Sequence, residues 1–250
     1  GLLMLKFNIN SIFFINSASF LLLFLSILIS YIPDQEHKEN GNDDIKEMFV
    51  GFKENFTNIK LRISLLFTIV VNISMLGFNA TIIYYLQDQL KLSNSLVGIV
   101  YSIAGFGSLI AVTLLSTFLN KKDTFILMNI SMATIPLVIM ASGIVENWIF
   151  FGICYSILSG LITIASVSIT TIQQQESTEY NIGKILSSSF VIATIFAPFG
   201  GILAAYFNWL LNPRLSLVIL GLLSSLLVIL IKSYEKKLTK KRTAIFIKED

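Results

Sequence analysis

"ISLLFTIVVNISMLGFNATIIYYLQ", residues 63–87, carries no charged side chain between Arg62 and Asp88. A helix that crosses a bilayer needs roughly 20 apolar residues, within a range of about 17 to 25, and this stretch is long enough. The same gap recurs along the chain. No charge lies between Lys6 and Asp34, Lys91 and Lys121, Asp123 and Glu146, Glu146 and Glu176, Lys184 and Arg214, or Arg214 and Lys232. Seven gaps predict seven spans, near 11–32, 64–86, 95–119, 124–145, 147–173, 186–207 and 215–232. The 250 residues are 54% hydrophobic and only 13% charged. A soluble domain is typically about 25% charged, and half that density cannot cover a water-facing surface. The predicted fold class is an all-α integral membrane protein with seven transmembrane helices.

Lys and Arg favour the cytoplasmic side of a membrane. Segments 33–63, 120–123, 174–185 and 233–250, with Lys232 at their border, hold 15 of the 18 basic residues. The other side keeps Lys6, Lys91 and Arg214. A multi-pass protein of the cell membrane with a cytoplasmic C-terminus follows. The net charge of +3 belongs to this topology and calls for no nucleic acid. The run "KSYEKKLTKKR" (232–242) reads as a stop-transfer tail within reach of lipid headgroups. Cys154 has no second cysteine, so neither a disulfide nor a thiolate metal site is expected. No cofactor is expected.

The first connection differs from the others. Residues 33–62 form a long charged loop, of a kind that usually acts as a linker or a functional segment. Within it "IKEMFVGFKENF" (45–56) sets Ile45, Met48, Phe49, Phe52 and Phe56 at helical spacing. That pattern predicts a short amphipathic helix on the inner membrane face. The expected organisation is a first span (1–32), a linker (33–62), a six-span bundle (63–233) and a basic tail (234–250). The chain begins with glycine and enters its first span at once, as expected of a fragment.

This layout resembles the C-terminal part of a major facilitator superfamily transporter, from the sixth span to the twelfth. "FNINSIFFINSASFLLLFL" (7–25), with Asn16, Ser19 and Phe20, is similar to the sixth span of its macrolide-efflux-like branch. "GIVYSIAGFGSLIA" (98–111) resembles that branch's glycine-rich eighth span. "QQQESTEYNIGK" (173–184) resembles its loop between spans ten and eleven, and "APFGGILA" (197–204) its eleventh span. "LNKKDT" (119–124) departs by lacking the fuller glycine, aspartate and arginine pattern of other branches. The resemblance implies that the last six spans form one half-bundle, partnered by a missing N-terminal half. It also implies export of a small molecule by alternating access.

Small and polar residues show which faces meet protein in lipid. They form stripes at Gly98, Ser102, Gly105, Ser108 and Ala111, at Gly152, Ser156, Ser159, Gly160, Thr163, Ser166 and Thr170, and at Ala193, Ala197, Gly200 and Ala204. Each also reads as a packing seam and nothing more. The last span, almost wholly aliphatic, is expected to face lipid. Pro198, beside Gly200 and Gly201, predicts a bent, closely packed helix, which a membrane tolerates because neighbours satisfy the freed backbone. Gly105 and Gly160 are read as further close-packing points. Candidate substrate-cavity residues are Asn72, Asn79, Tyr101, Phe106, Tyr155 and Ser159, the polar and aromatic groups within spans. No span carries a charge at its centre, where a charge usually marks function. Walls of this kind suit a neutral or amphiphilic, fairly hydrophobic substrate.

Other classes fit less well. A retinal-type receptor needs a lysine inside the last span, and Lys232 lies at its edge. An enzyme needs a catalytic constellation, yet the one histidine, His37, lies in the linker and no aspartate lies in a span. A phosphate-binding glycine loop is absent from the sequence. A truncated remnant that does not transport is the remaining alternative.

Overall fold

The computed structural model describes residues 9–30, 44–119 and 122–249, with side chains as far as Leu238. His37 with all of the linker before Asp44, and the residues before Ile9, lie outside the described residues. The described residues form helices and no strand. In chain order these are α1 (Ile9–Ile29), α2 (Asp44–Thr57), α3 (Ile59–Tyr84), α4 (Asn94–Leu114), α5 (Thr124–Ile144), α6 (Trp148–Gln175), α7 (Ile182–Leu210) and α8 (Pro213–Glu249). Single π turns extend α3 to Gln89 and α4 to Leu119. Among the described residues six helices, α3 to α8, are long and apolar enough to cross a membrane. The first predicted span is α1, apolar and exposed from Phe13 to Ile29. Together they make a multi-pass membrane protein.

The boundaries follow from local chemistry. Side-chain oxygens satisfy amides that a helix start leaves orphaned. Asn58 accepts from the Lys60 amide at 2.9 Å, Asp123 from Phe125 at 2.8 Å and Asn147 from Ile149 at 2.8 Å. At α8 Asn212 accepts from the Leu215 amide at 2.9 Å, and Pro213 opens the helix where no amide hydrogen is needed. The last predicted span is the first half of a longer helix. The 37 residues of α8 run on through the basic tail, about 56 Å against a hydrocarbon thickness of about 30 Å.

Chain neighbours are often not spatial neighbours. The main pairs are α3 with α7 and α8, α4 with α6, and α5 with α6 and α8. Exchanging α3 with α6, α4 with α7 and α5 with α8 maps this set onto itself. The same exchange relates the glycine contacts. A Cβ on Gly107 of α4 would overlap the Ser156 carbonyl of α6, and one on Gly160 would sit 3.1 Å from the Gly107 carbonyl. At the exchanged crossing, a Cβ on Gly200 of α7 would overlap the Ile73 carbonyl of α3, and one on Gly77 would sit 3.1 Å from the Gly200 carbonyl. Between α5 and α8, a Cβ on Gly143 would sit 2.7 Å from the Arg214 carbonyl and one on Gly221 2.8 Å from the Pro136 carbonyl. The bundle therefore has an internal pseudo-two-fold arrangement of three helices and three.

The core sits around α3, where Phe67, Phe78, Ile82, Tyr85 and Leu86 meet Met128, Met132, Ile139, Phe151 and Leu158. By contrast α4 and α7 bury only narrow seams. In α4 this seam is Val97, Val100, Ala104, Gly107 and Ala111, in steps of three and four. Gly105, read from sequence as a close-packing point, lies off that seam with nothing within 4 Å of its Cβ position. Gly201 makes only ordinary contact with Leu76, at 3.8 Å, so the close approach in α7 belongs to Gly200 alone. Pro198 is exposed within an unbroken α7. Its missing amide leaves the Thr194 carbonyl without its usual helical donor. α8 is not wholly lipid-facing, because Leu217, Leu220, Ser224, Val228 and Ile231 are buried while Leu222, Leu226 and Ile229 stay exposed.

Gly107→Ala and Gly200→Ala are each expected to destabilise the bundle by about 1–3 kcal/mol, because a methyl group must displace backbone. Gly105→Ala, with free space, should be neutral or stabilise by up to about 1 kcal/mol. Thermal unfolding of the three variants in detergent checks the contrast.

Candidate functional site

The six cavity candidates separate into scaffold and open face. Tyr155 on α6 is buried at 6% exposure, ringed by Phe78 at 5.1 Å, Tyr101 at 5.6 Å and Phe151 at 6.5 Å between centroids. Tyr85 stacks obliquely on Phe151 at 5.0 Å, and its hydroxyl donates to the Val145 carbonyl. This aromatic cluster ties α3, α4 and α6 together toward one end of the bundle. Tyr101 forms its rim at 37% exposure. Phe106 is exposed, but it lies about 140° around α4 from Tyr101. The structure therefore does not bring those two together.

Asn72 and Asn79 sit on one face of α3. Asn72 is half-buried and donates to the Thr68 carbonyl of its own helix at 2.9 Å. Asn79 is exposed. Ser159 is half-buried on α6, and its carbonyl accepts from the Thr163 hydroxyl at 2.9 Å. From there a polar face continues that residue spacing alone assigns to packing. Tyr155, Ser159, Thr163, Ser166 and Thr170 share one side of α6, and exposure rises along it from buried through half-buried to exposed. Only Gly152, Ser156 and Gly160 of the same sequence stripe serve the seams with α4. The spacing already held the signal, since Thr163, Ser166 and Thr170 recur at three and four residues. What it lacked was which side a neighbour would cover.

Polar bonds between helices stand elsewhere. Ser74 and Ser224 hydroxyls meet at 2.7 Å between α3 and α8, and Asn208 donates to the Thr81 hydroxyl at 3.3 Å between α7 and α3. Arg214 holds the end of α5, donating to the Gly143 carbonyl at 3.3 Å and the Ile144 carbonyl at 3.0 Å. It also pairs with Glu146 at 2.8 Å. That use satisfies carbonyls that the end of α5 leaves free.

The opposite, basic end is closed by polar side chains. Glu176 accepts from Lys60 at 2.6 Å and from Asn58 at 3.1 Å, joining α6 to the start of α3. The hydrogen bond from Lys60 holds the Glu176 carboxyl below the ordinary range, helped by Asn58 and opposed by partial desolvation. No group of residues able to hold a metal ion occurs among the described residues.

Six membrane-length helices with an uncharged polar face left open define a transport-type membrane bundle. The family model of the Major Facilitator Superfamily matches residues 1–190, and this chain belongs to that superfamily of membrane transporters. Comparison with curated proteins gives no match.

Tyr155→Ala should cost about 3–5 kcal/mol, the usual range for truncating a buried aromatic ring, whereas Asn79→Ala should stay within about 0.5 kcal/mol. Unfolding in detergent separates the scaffold residue from the open-face residue. A second prediction concerns pH. Because the folded-state pKa of Glu176 is depressed, its stabilising contribution is complete above the unfolded carboxylate value of about 4.3. It is lost as pH falls through the folded value. The melting difference between the native chain and Glu176→Gln should shrink over that acid range and hold constant near neutrality.

Proposed function

We propose that this chain supplies the C-terminal half of a secondary transporter that exports a neutral or amphiphilic, fairly hydrophobic small molecule. The observation that carries the reading is the uncharged polar face of α6, from Ser159 to Thr170, with Asn72 and Asn79 on α3. Asn72 and Thr163 bond to carbonyls of their own helices, but the Asn79 amide and the Ser166 and Thr170 hydroxyls, turned to lipid, would be left unbonded at a cost of several kcal/mol each. Such a face belongs against water or substrate. A second six-helix bundle, N-terminal to this one, covers it and forms the other wall of a midplane cavity. Rocking of the two bundles exposes that cavity to each side in turn. The basic end of the bundle, with Lys60, Arg62, Lys184 and the tail, lies in the cytoplasm of the cell membrane. The resemblance of residues 7–25 and 98–111 to the macrolide-efflux-like branch supports assigning the chain to that branch. The linker joins the two bundles, and the six-span bundle moves as one unit.

Thiol labelling in native membranes tests this. In a Cys154→Ser chain, cysteines at Asn79, Ser166 and Thr170 should react with a membrane-impermeant maleimide, and cysteines at Leu137 and Leu226 should not. Cells producing this half together with its N-terminal bundle should release preloaded Nile red faster than controls, and Ser166→Leu with Thr170→Leu should slow that release several-fold. Equal protection of Asn79, Ser166, Thr170 and Leu137 would mean that the polar face is not a water-accessible path, and would overturn the reading.

A further inference from the structure

The helix α2 divides its surface in a way the sequence pattern does not reveal. Its apolar spacing is carried by Phe49, Phe52 and Phe56, yet the side that packs on the bundle is Gly51 and Asn55. A Cβ on Gly51 would overlap the Lys184 carbonyl of α7. Asn55 is fully buried and saturated. It donates to the Ile185 carbonyl at 3.1 Å and the Ser188 hydroxyl at 2.9 Å, and it accepts from Ser189 at 3.0 Å. Glu54, beside it, accepts from Asn181 at 2.9 Å. The phenylalanines lie about a third of a turn away from this seam. Phe49 and Phe56 are each 54% exposed, and Phe49 pairs with Phe52 at 5.9 Å.

The depth of α2 follows from its attachments. One residue, Asn58, separates it from α3, and its seam lies along the first turns of α7 rather than beyond them. At 29 residues, α7 is about 43 Å long and overshoots a 30 Å hydrocarbon layer by roughly 6 Å at each end. Lys184, Ile185 and Ser188 therefore stand at the boundary between headgroups and acyl chains. Phe190 and Val191, on the next turn of α7, are exposed as well. Lys53 borders the phenylalanine side and is exposed, with a stem long enough to reach headgroups.

We propose that α2 is an interfacial helix. Its Phe49–Phe52–Phe56 side enters the bilayer at the headgroup boundary, and its Gly51–Asn55 side braces the start of α7. The partner of the exposed side is lipid, with Lys53 favouring anionic headgroups. This inference needs only a multi-pass membrane protein and is independent of substrate or direction of transport.

Spin labels at Phe49→Cys, Phe56→Cys and Thr57→Cys, each in the full Cys154→Ser chain, test it. The vesicles are of mixed phosphatidylcholine and phosphatidylglycerol. At positions 49 and 56, relaxation by molecular oxygen should exceed that by a water-soluble nickel chelate several-fold, with the order reversed at 57. Dominance of nickel at 49 and 56 would place the face in water, and exclusion of both reagents would place it under protein; either overturns the proposal. A chain carrying Phe49→Trp but otherwise native probes the same contact without cysteine replacement, against the native chain's Trp148 and Trp209 background. Its added emission should be quenched by brominated phospholipid and spared by acrylamide, and the reverse pattern contradicts lipid contact.

Discussion

Close approach of helix backbones is the constraint on which this bundle rests. Lipid tails are as apolar as leucine, so there is little hydrophobic gain in pressing one aliphatic helix against another, and shape decides association. Gly107 against Ser156, Gly200 against Ile73, and the reciprocal pair Gly143 and Gly221 put one helix against the main chain of the next. A methyl group at the tighter of these sites costs about 1–3 kcal/mol. A hydrogen bond between membrane helices, such as Ser74 to Ser224 at 2.7 Å, contributes about 0.6 kcal/mol on average. The crossings therefore outweigh the polar bonds in selecting partners, and the polar bonds refine the register.

From those crossings follows the distribution of exposure. The central helix α3 and its exchange partner α6 are held between flanking helices, while α4, seated on α6, and α7, seated on α3 and α2, leave wide faces free. The aromatic cluster around Tyr155 fills the space where α3, α4 and α6 meet, so the Tyr155 end of the polar face of α6 is packed and its Thr170 end open. A surface that is polar, uncharged and open in this way matches a membrane transporter of the Major Facilitator Superfamily.

The basic end is organised by a different force. Here water is near, and short side chains do the joining: Asn55 in three directions, Asn58 as both helix cap and ligand of Glu176, and Lys60 on the same carboxylate. Because these groups attach α2 to α7 and the start of α3 to the end of α6, the segment between Asp44 and Thr57 forms part of the bundle.

The number and placement of the six bundle spans were legible in the sequence, because excluding charge from hydrocarbon leaves gaps that composition alone exposes. The presence of α2 was readable from its spacing, but its seat was not. Nothing in "MFVGFKENF" (48–56) says that Gly51 and Asn55 turn inward while the phenylalanines turn out. Nor could composition distinguish Gly105 from Gly107, two residues apart in one stripe, though only the second meets a neighbour's carbonyl. The polar run of α6 likewise held both a seam and an open face. Burial in lipid follows from local sequence, whereas pairing in lipid depends on the fit of two surfaces distant in the chain, and only the tertiary structure decided that.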